Sequence, residues 1–284
     1  MNFSIRTWDS GSAHPIRKSP DNHQDGSDSP SRATEKMFKF LKQWRQQRII
    51  SSSTVSPENW ENAFNLLPLL DHLSADEKNT LRDLAILLLH EKSFLGAHDF
   101  VVSEEMTLLI ALQACLPILH LGIDWYSQWT TIIVYPAGFA PDRTVIDEFG
   151  LAHTTRSELS GEAWQRGPVI LSWKHTENAG IKDGHNVVIH EFVHKLDMLN
   201  GAANGFPPMH KDINAGDWSK IFTDAFEDFQ RSPKPGLDRY GATAPAEFLA
   251  VMSEVFFEKP GLLNDAYPGV YTTLSLFFRQ DPLH

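Results

Sequence analysis

Large apolar residues near the start of the chain fall at Met37, Phe38, Phe40, Leu41 and Trp44, with Lys and Arg between them. That spacing predicts a short amphipathic helix at about 35–47. Its shortness favours docking on the domain over membrane contact. Residues 51–54 form a polar linker. Ser56-Pro57-Glu58 then marks a helix start, with proline in the first turn. Ser74-Ala75-Asp76-Glu77 marks a second start, in the form of a capping box, ahead of the apolar run 81–89. A third helix is predicted from residue 103 to 119, with Pro117 near its end. Residues 56–122 therefore read as helical.

The period then changes. Residues 130–135 (TTIIVY) are β-branched, short, and closed by Pro136 and Gly138, which predicts a strand. Residues 169–173 (VILSW) predict another, entered through Arg166-Gly167-Pro168. Pro168 suits an edge strand or a first strand position. This strand either pairs with an extended peptide or belongs to the core. Helical periodicity returns from Asn186, and no internal repeat is visible. Helices, then short strands, then helices favour an α+β fold over an alternating one.

Composition narrows the function. The 284 residues suffice for one large domain or two small ones, with 42% hydrophobic and 21% charged. Residues 1–34 are rich in Ser, Asp, Pro, His and Gly, and 19–31 contain no large apolar side chain. Such a segment cannot offset the entropy of ordering, so a disordered tail is expected, followed by a single domain over 35–284. Within it, 35–122 is expected to be mainly helical and 123–284 to hold the sheet and the later helices. The formal net charge of -11 argues against a protein that coats nucleic acid. No apolar run reaches the ~18–20 residues of a membrane span. The N-terminus lacks the basic and apolar regions of a secretory signal. Cys115 is the single cysteine, which excludes an intrachain disulfide and a Cys-rich zinc module. It is expected to be a small buried apolar residue. A soluble cytoplasmic protein is the expectation.

The chemistry concentrates in His190-Glu191-Phe192-Val193-His194. Residues four apart on a helix share a face, so two imidazoles can chelate one Zn²⁺ without moving the backbone. Glu191 projects about 100° round the helix. From there it can accept the proton of an attacking water without ligating the metal. The flanking residues are apolar, and two His and a Glu buried there without partners would cost several kcal/mol. A metal resolves that cost; a hydrogen-bonded pair of core histidines is the alternative.

A catalytic zinc wants a third protein ligand. The extended form HExxHxxGxxH would need Gly and His at 197 and 200, where this chain has Asp197 and Asn200. The third ligand is therefore sought in the apolar helix predicted from Pro245, on which Glu247, Glu254 and Glu258 share a face. Glu247 follows an apolar loop and is the stronger candidate. Glu254 either ligates instead or hydrogen-bonds a ligand histidine. Glu258 fits a solvated helix end. Asp197 either orients an imidazole or pairs with Lys195. His175, His185 and His210 have no ligand spacing.

Residues 110–124 (IALQACLPILHLGID), 133–139 (IVYPAGF), 160–173 (SGEAWQRGPVILSW), 190–201 (HEFVHKLDMLNG) and 240–257 (YGATAPAEFLAVMSEVFF) together resemble the Mlc titration factor A family of bacterial metallopeptidases. That family in turn resembles the catalytic domain of anthrax lethal factor. The matching segments cover most of 56–284, and the specific elements are HKLD within the motif and the downstream Y-(x)6-E-F helix. The tail and the helix at 35–47 have no recognised counterpart. The resemblance implies an α+β zincin-like domain with a helical N-terminal part and a small mixed sheet. It implies one zinc per chain on His190, His194 and Glu247, with Glu191 as base. It also implies Tyr240 as a phenol near the metal able to stabilise an oxyanion; a packed aromatic is the other reading of that residue. The implied activity is aminopeptidase-type hydrolysis of short peptides, with binding to the glucose-responsive repressor Mlc as a partner. A repressor-sequestering protein with incidental peptidase activity is the alternative.

Overall fold

The computed structural model describes residues 32–138, 143–146, 152–155, 161–164 and 166–284. The expected tail lies outside them except for residues 32–34, which open the first helix. The chain divides into two compact units, residues 1–44 and 45–284. Helix α1 (Arg32–Ser51) is longer than its apolar pattern indicates. In the first unit, Met37, Phe38, Phe40, Leu41 and Trp44 on this helix are 49–66% exposed.

The second unit begins with the predicted helices. In α2 (Pro57–Asn65), Ser56 Oγ accepts from the Asn59 amide at 3.1 Å. In α3 (Ala75–Glu91) the capping box is complete: Ser74 Oγ accepts from the Glu77 amide, and Glu77 Oε2 accepts from the Ser74 amide. Strand β1 (Ser93–Gly96) follows. Helix α4 (Glu104–Cys115) stops before Pro117, which has no N–H to donate, and the chain continues as a 3₁₀ turn over Leu116–Ile118. It is buried throughout from Leu108 to Cys115, as befits a helix apolar on every face. Cys115 is a buried free thiol, and burial pushes its pKa up.

The remaining strands are β2 (Thr131–Tyr135), β3 (Arg143–Ile146), β4 (Ala152–Thr155), β5 (Gly161–Ala163) and β6 (Val169–Ser172). Strands β3 and β4 form an antiparallel pair of their own. The main sheet has the order β1-β2-β6-β5, parallel except where β5 runs antiparallel to β6. Of the two readings left open for this strand, the core position holds. The strand after Pro168 is no edge: β6 lies between two neighbours with all four residues buried, and Pro168 only precedes its first position. The edges are β1 and β5; the Gly-Glu-Ala sequence of β5 has no strand propensity and is ordered by its pairing.

A short helix α5 (Trp173–Thr176) leads towards α6 (Val187–Asp197). Helix α7 (Ala215–Arg231), α8 (Pro245–Glu258), α9 (Pro260–Ala266) and α10 (Pro268–Phe278) complete the chain, the last three each opening on a proline at the first turn. The core gathers α4, α6 and α8 around Phe192, Phe248, Phe256 and Phe257. The fold is mixed α+β with one small mixed sheet, as expected. No described helix is long and apolar enough to cross a membrane.

One polar side chain ties the end of α3 to the segment that leads into β2. Lys92, 6% exposed at the end of α3, donates from Nζ to the carbonyls of Tyr126 and Trp129 and lies 4.5 Å from the Trp129 ring centroid. Lys92→Met would leave two buried carbonyls without a donor. A loss of about 2–4 kcal/mol is expected in urea unfolding; an unchanged midpoint would show that water replaces the ammonium.

Candidate active site

Helix α6 is set by its first residue. Asn186 caps it, its Oδ1 accepting from the Ile189 amide at 3.0 Å. From Val188 to Asp197 every residue of the helix is buried, so His190, Glu191 and His194 sit in the interior at the cleft wall. His190 and His194 are one turn apart, with ring centroids 4.8 Å apart. Their Nε2 atoms are 3.2 Å apart. Glu247 Oε2, from the first turn of α8, lies 3.0 Å from the first and 3.2 Å from the second. These three residues form the one group among the described residues able to hold a metal ion.

The spacing fits a metal. A tetrahedral ion with bonds of about 2.0–2.1 Å sets its ligand atoms about 3.3 Å apart. The electrostatics agree. Burial pushes the His190 imidazole down, yet Glu247 and Glu254 outweigh it and raise its pKa well above the usual histidine range. Burial likewise pushes the Glu247 carboxyl up, and the two histidines outweigh it, holding its pKa at about 2. A place that favours both the cationic imidazole and the anionic carboxylate is suited to a cation.

Loops place α8 against α6. Asp197 neither orients an imidazole nor pairs with Lys195. Its carboxylate accepts from the amides of Asn204, Gly205 and Phe206 at 2.7–2.9 Å, folding the loop back after α6. Gly205 has φ +79°, and a Cβ there would lie 2.7 Å from the Pro245 carbonyl oxygen. Only glycine lets this loop touch the start of α8. Just upstream, Asp238 Oδ1 accepts from the Tyr240 amide at 2.9 Å and begins the 3₁₀ turn Arg239–Ala242. Tyr240 lines the cleft, its ring centroid 6.0 Å from that of His190 and its side chain about half exposed.

Behind the ligand face lies a buried polar chain. Glu254 Oε1 is 2.7 Å from His190 Nδ1, and its Oε2 accepts from the Asn186 amide. Glu254 therefore stands behind the imidazole, while Glu247 stands beside the two Nε2 atoms. Glu258, expected at a solvated helix end, is 2% exposed. Its Oε1 accepts from Asn186 Nδ2 at 2.8 Å, and Asn186 Nδ2 also reaches Gln113 Oε1 of α4 at 2.8 Å. Asn186, Gln113 and Glu258 were not legible as parts of the site, because their spacing across the chain shows nothing of this network. His194 Nδ1 finds no hydrogen-bond partner among the described residues.

Glu191 lines the same cleft and is 4% exposed. Its Oε2 has no hydrogen-bond partner among the described residues. Burial raises its carboxyl to about 7, against the opposing pull of His190 and His194. The cleft has a volume of about 890 Å³ and includes His175 and His185, which spacing alone did not flag. His210 lies elsewhere, against Trp125 and Phe277.

Residues 41–279 match the family described as glucose-regulated metallo-peptidase M90. The chain belongs to that family. The match begins inside α1, so part of the helix that had no recognised counterpart falls within the M90 region. Among relatives, the Mlc titration factor A of Salmonella typhi is 37% identical over 246 residues, covering 84% of this chain and 91% of its own length. That of Serratia proteamaculans (strain 568) is 38% identical over 232 residues, 79% of this chain and 87% of its own. Membership of M90 points to a metal ion, and the His190, His194 and Glu247 cluster is where the described residues could hold one.

The two glutamates of α8 separate in experiment. Glu247→Ala is expected to abolish tight zinc binding, leaving two protein ligands. Glu254→Ala should weaken it only about 10–100-fold, as loss of a partner behind a ligand does. Titration against a competing chelator reads both, and the reverse order of effects would exchange their assignments.

Proposed function

We propose that this chain is a zinc-dependent peptidase of aminopeptidase type acting on short peptides. The observation that carries the reading is the convergence of His190, His194 and Glu247 beside a buried Glu191 at one cleft. The three would hold one Zn²⁺ per chain, and when bound the ion would supply a Lewis acid. Glu191 takes the proton of the attacking water and returns it to the leaving amine. A carboxyl held at about 7 by burial is suited to both transfers. Tyr240, at the cleft and beside His190, donates its phenolic proton to the oxyanion of the tetrahedral intermediate. The cleft volume suits a short peptide. Glu162, Asp183 and Asp238 line it against one cation, Lys174, an acidic balance that favours a substrate with a free amino group. A cytoplasmic location belongs to this reading.

The name of the relatives, Mlc titration factor A, favours a second reading: the chain binds the Mlc repressor, and hydrolysis is incidental. One variant divides the two. Glu191→Gln should keep the metal and the shape of the cleft yet lower kcat about 10²–10⁴-fold. If peptidase activity is the function, relief of Mlc repression in cells disappears with hydrolysis. If it persists in full with hydrolysis gone, the binding reading stands and the peptidase proposal falls.

The pH dependence follows from Glu191. As a base it works only when ionised, so kcat is expected to fall as the pH drops through about 7. A bound divalent cation favours the carboxylate and moves that limb lower. Initial rates on an unblocked peptide across the acid range check this; a flat profile down to about pH 4 would remove Glu191 from the role.

A further inference from the structure

The sheet meets the motif helix at one point where a side chain does not fit. A Cβ at Gly161 would lie 2.4 Å from Glu191 Oε1, 2.6 Å from its Cγ and 2.8 Å from its Cδ. All three near contacts belong to the same side chain. The backbone of Gly161 is outside the left-handed region, so its conformation does not call for glycine. Space beside Glu191 is the reason on view.

The strand side of this contact has little room to retreat, whereas the carboxylate borders the cleft. Gly161 is paired with Leu171, and β6 is wholly buried between β5 and β2. The turn that joins β5 to β6 is fastened to α6 by Lys195, whose Nζ donates to the carbonyls of Trp164 and Gly167 and lies 5.0 Å from the Trp129 ring centroid. On the other side, Glu191 is 4% exposed and its Oε2 accepts no hydrogen bond from the described residues. Among the described residues, the surface that packs on this carboxylate is the bare backbone of β5 at Gly161.

We propose that Gly161 is a positioning residue for Glu191: its missing side chain lets the edge strand close on the carboxylate and hold it at the cleft. Lys195 acts in the same arrangement by clamping the hairpin that carries Gly161. An added methyl group would meet Glu191 first, its three nearest atoms all belonging to that side chain, and would push the carboxylate from its place. Displacement of a catalytic group by about 1 Å costs on the order of 10²-fold in rate.

The inference rests on Glu191 as the base, and its test has one arm that does not. In the zinc-loaded full chain, Gly161→Ala is expected to keep one zinc per chain and to lower kcat about 100-fold, with KM changing far less. Thermal unfolding of Gly161→Ala is then compared in two backgrounds, wild type and Glu191→Ala. If the methyl collides with Glu191, it lowers Tm in the first and much less in the second, where the carboxylate is gone. Equal losses in both backgrounds would overturn the proposal, as would full kcat in zinc-loaded Gly161→Ala. Should Gly161→Ala alone fail to fold, the Gly161→Ala/Glu191→Ala pair must fold; its failure would place the defect in strand pairing and sink the idea. Absence of hydrolysis by the wild-type chain would count against the peptidase reading, while the Tm comparison would still decide the contact.

Discussion

Three polar side-chain atoms from two helices converge on one point of this protein. Two imidazole nitrogens and a carboxylate oxygen stand within 3.2 Å, at the wall of an interior built from apolar helices. In such surroundings unpartnered polar groups cost several kcal/mol each. Something must hold them together, and the structure applies force from behind. Asn186 caps α6 and, through its amide and side chain, engages Glu254 and Glu258 of α8 and Gln113 of α4. One residue thus fixes where α6 begins and how it sits against both neighbours. Glu254 fixes the ring of His190 from the rear. Other details follow from that alignment: the folded-back loop held by Asp197, the glycine at 205, and the proline that opens α8.

The histidine pair was legible because its geometry is local. Four residues on a helix is one turn, whatever the rest of the chain does, and the apolar flanks announced burial. Glu247 needed more, since it lies on another helix; its place after Pro245 in a first turn gave the hint, and the cleft geometry bears out its proximity. The helix starts at Ser56 and Ser74 were legible for the same local reason, their caps being satisfied within three residues.

The misreadings share a different cause. Glu258 and Asp197 were judged by the company they keep along the chain. Glu258, at a helix end, suggested solvent; it is instead buried against the cap of α6. Asp197, beside a lysine and a histidine, suggested a charge partner; it instead serves three backbone amides of a loop. Whether a carboxylate is solvated or enclosed is a property of tertiary packing, and nothing in the local pattern reports it. Strand β5 was missed for a related reason. Its three residues lack strand propensity, and pairing with β6 orders them.

The two imidazoles differ, and the difference bears on the chemistry. His190 has a carboxylate behind it and a raised pKa, whereas His194 Nδ1 finds no partner among the described residues. A carboxylate behind an imidazole fixes its tautomer and makes it a more basic ligand. His190 is therefore oriented from behind by hydrogen bonding, and His194 by helix packing and the pair at its front. Glu191 lies between them in sequence and carries no such support at Oε2. In the proposed peptidase His190 is a ligand that must not move, and the carboxylates around it see to that. In the same proposal Glu191 must take up and give back a proton, so a strong hydrogen bond at Oε2 would oppose one of the two transfers. Packing against bare backbone holds such a group in place without committing its oxygen to a partner.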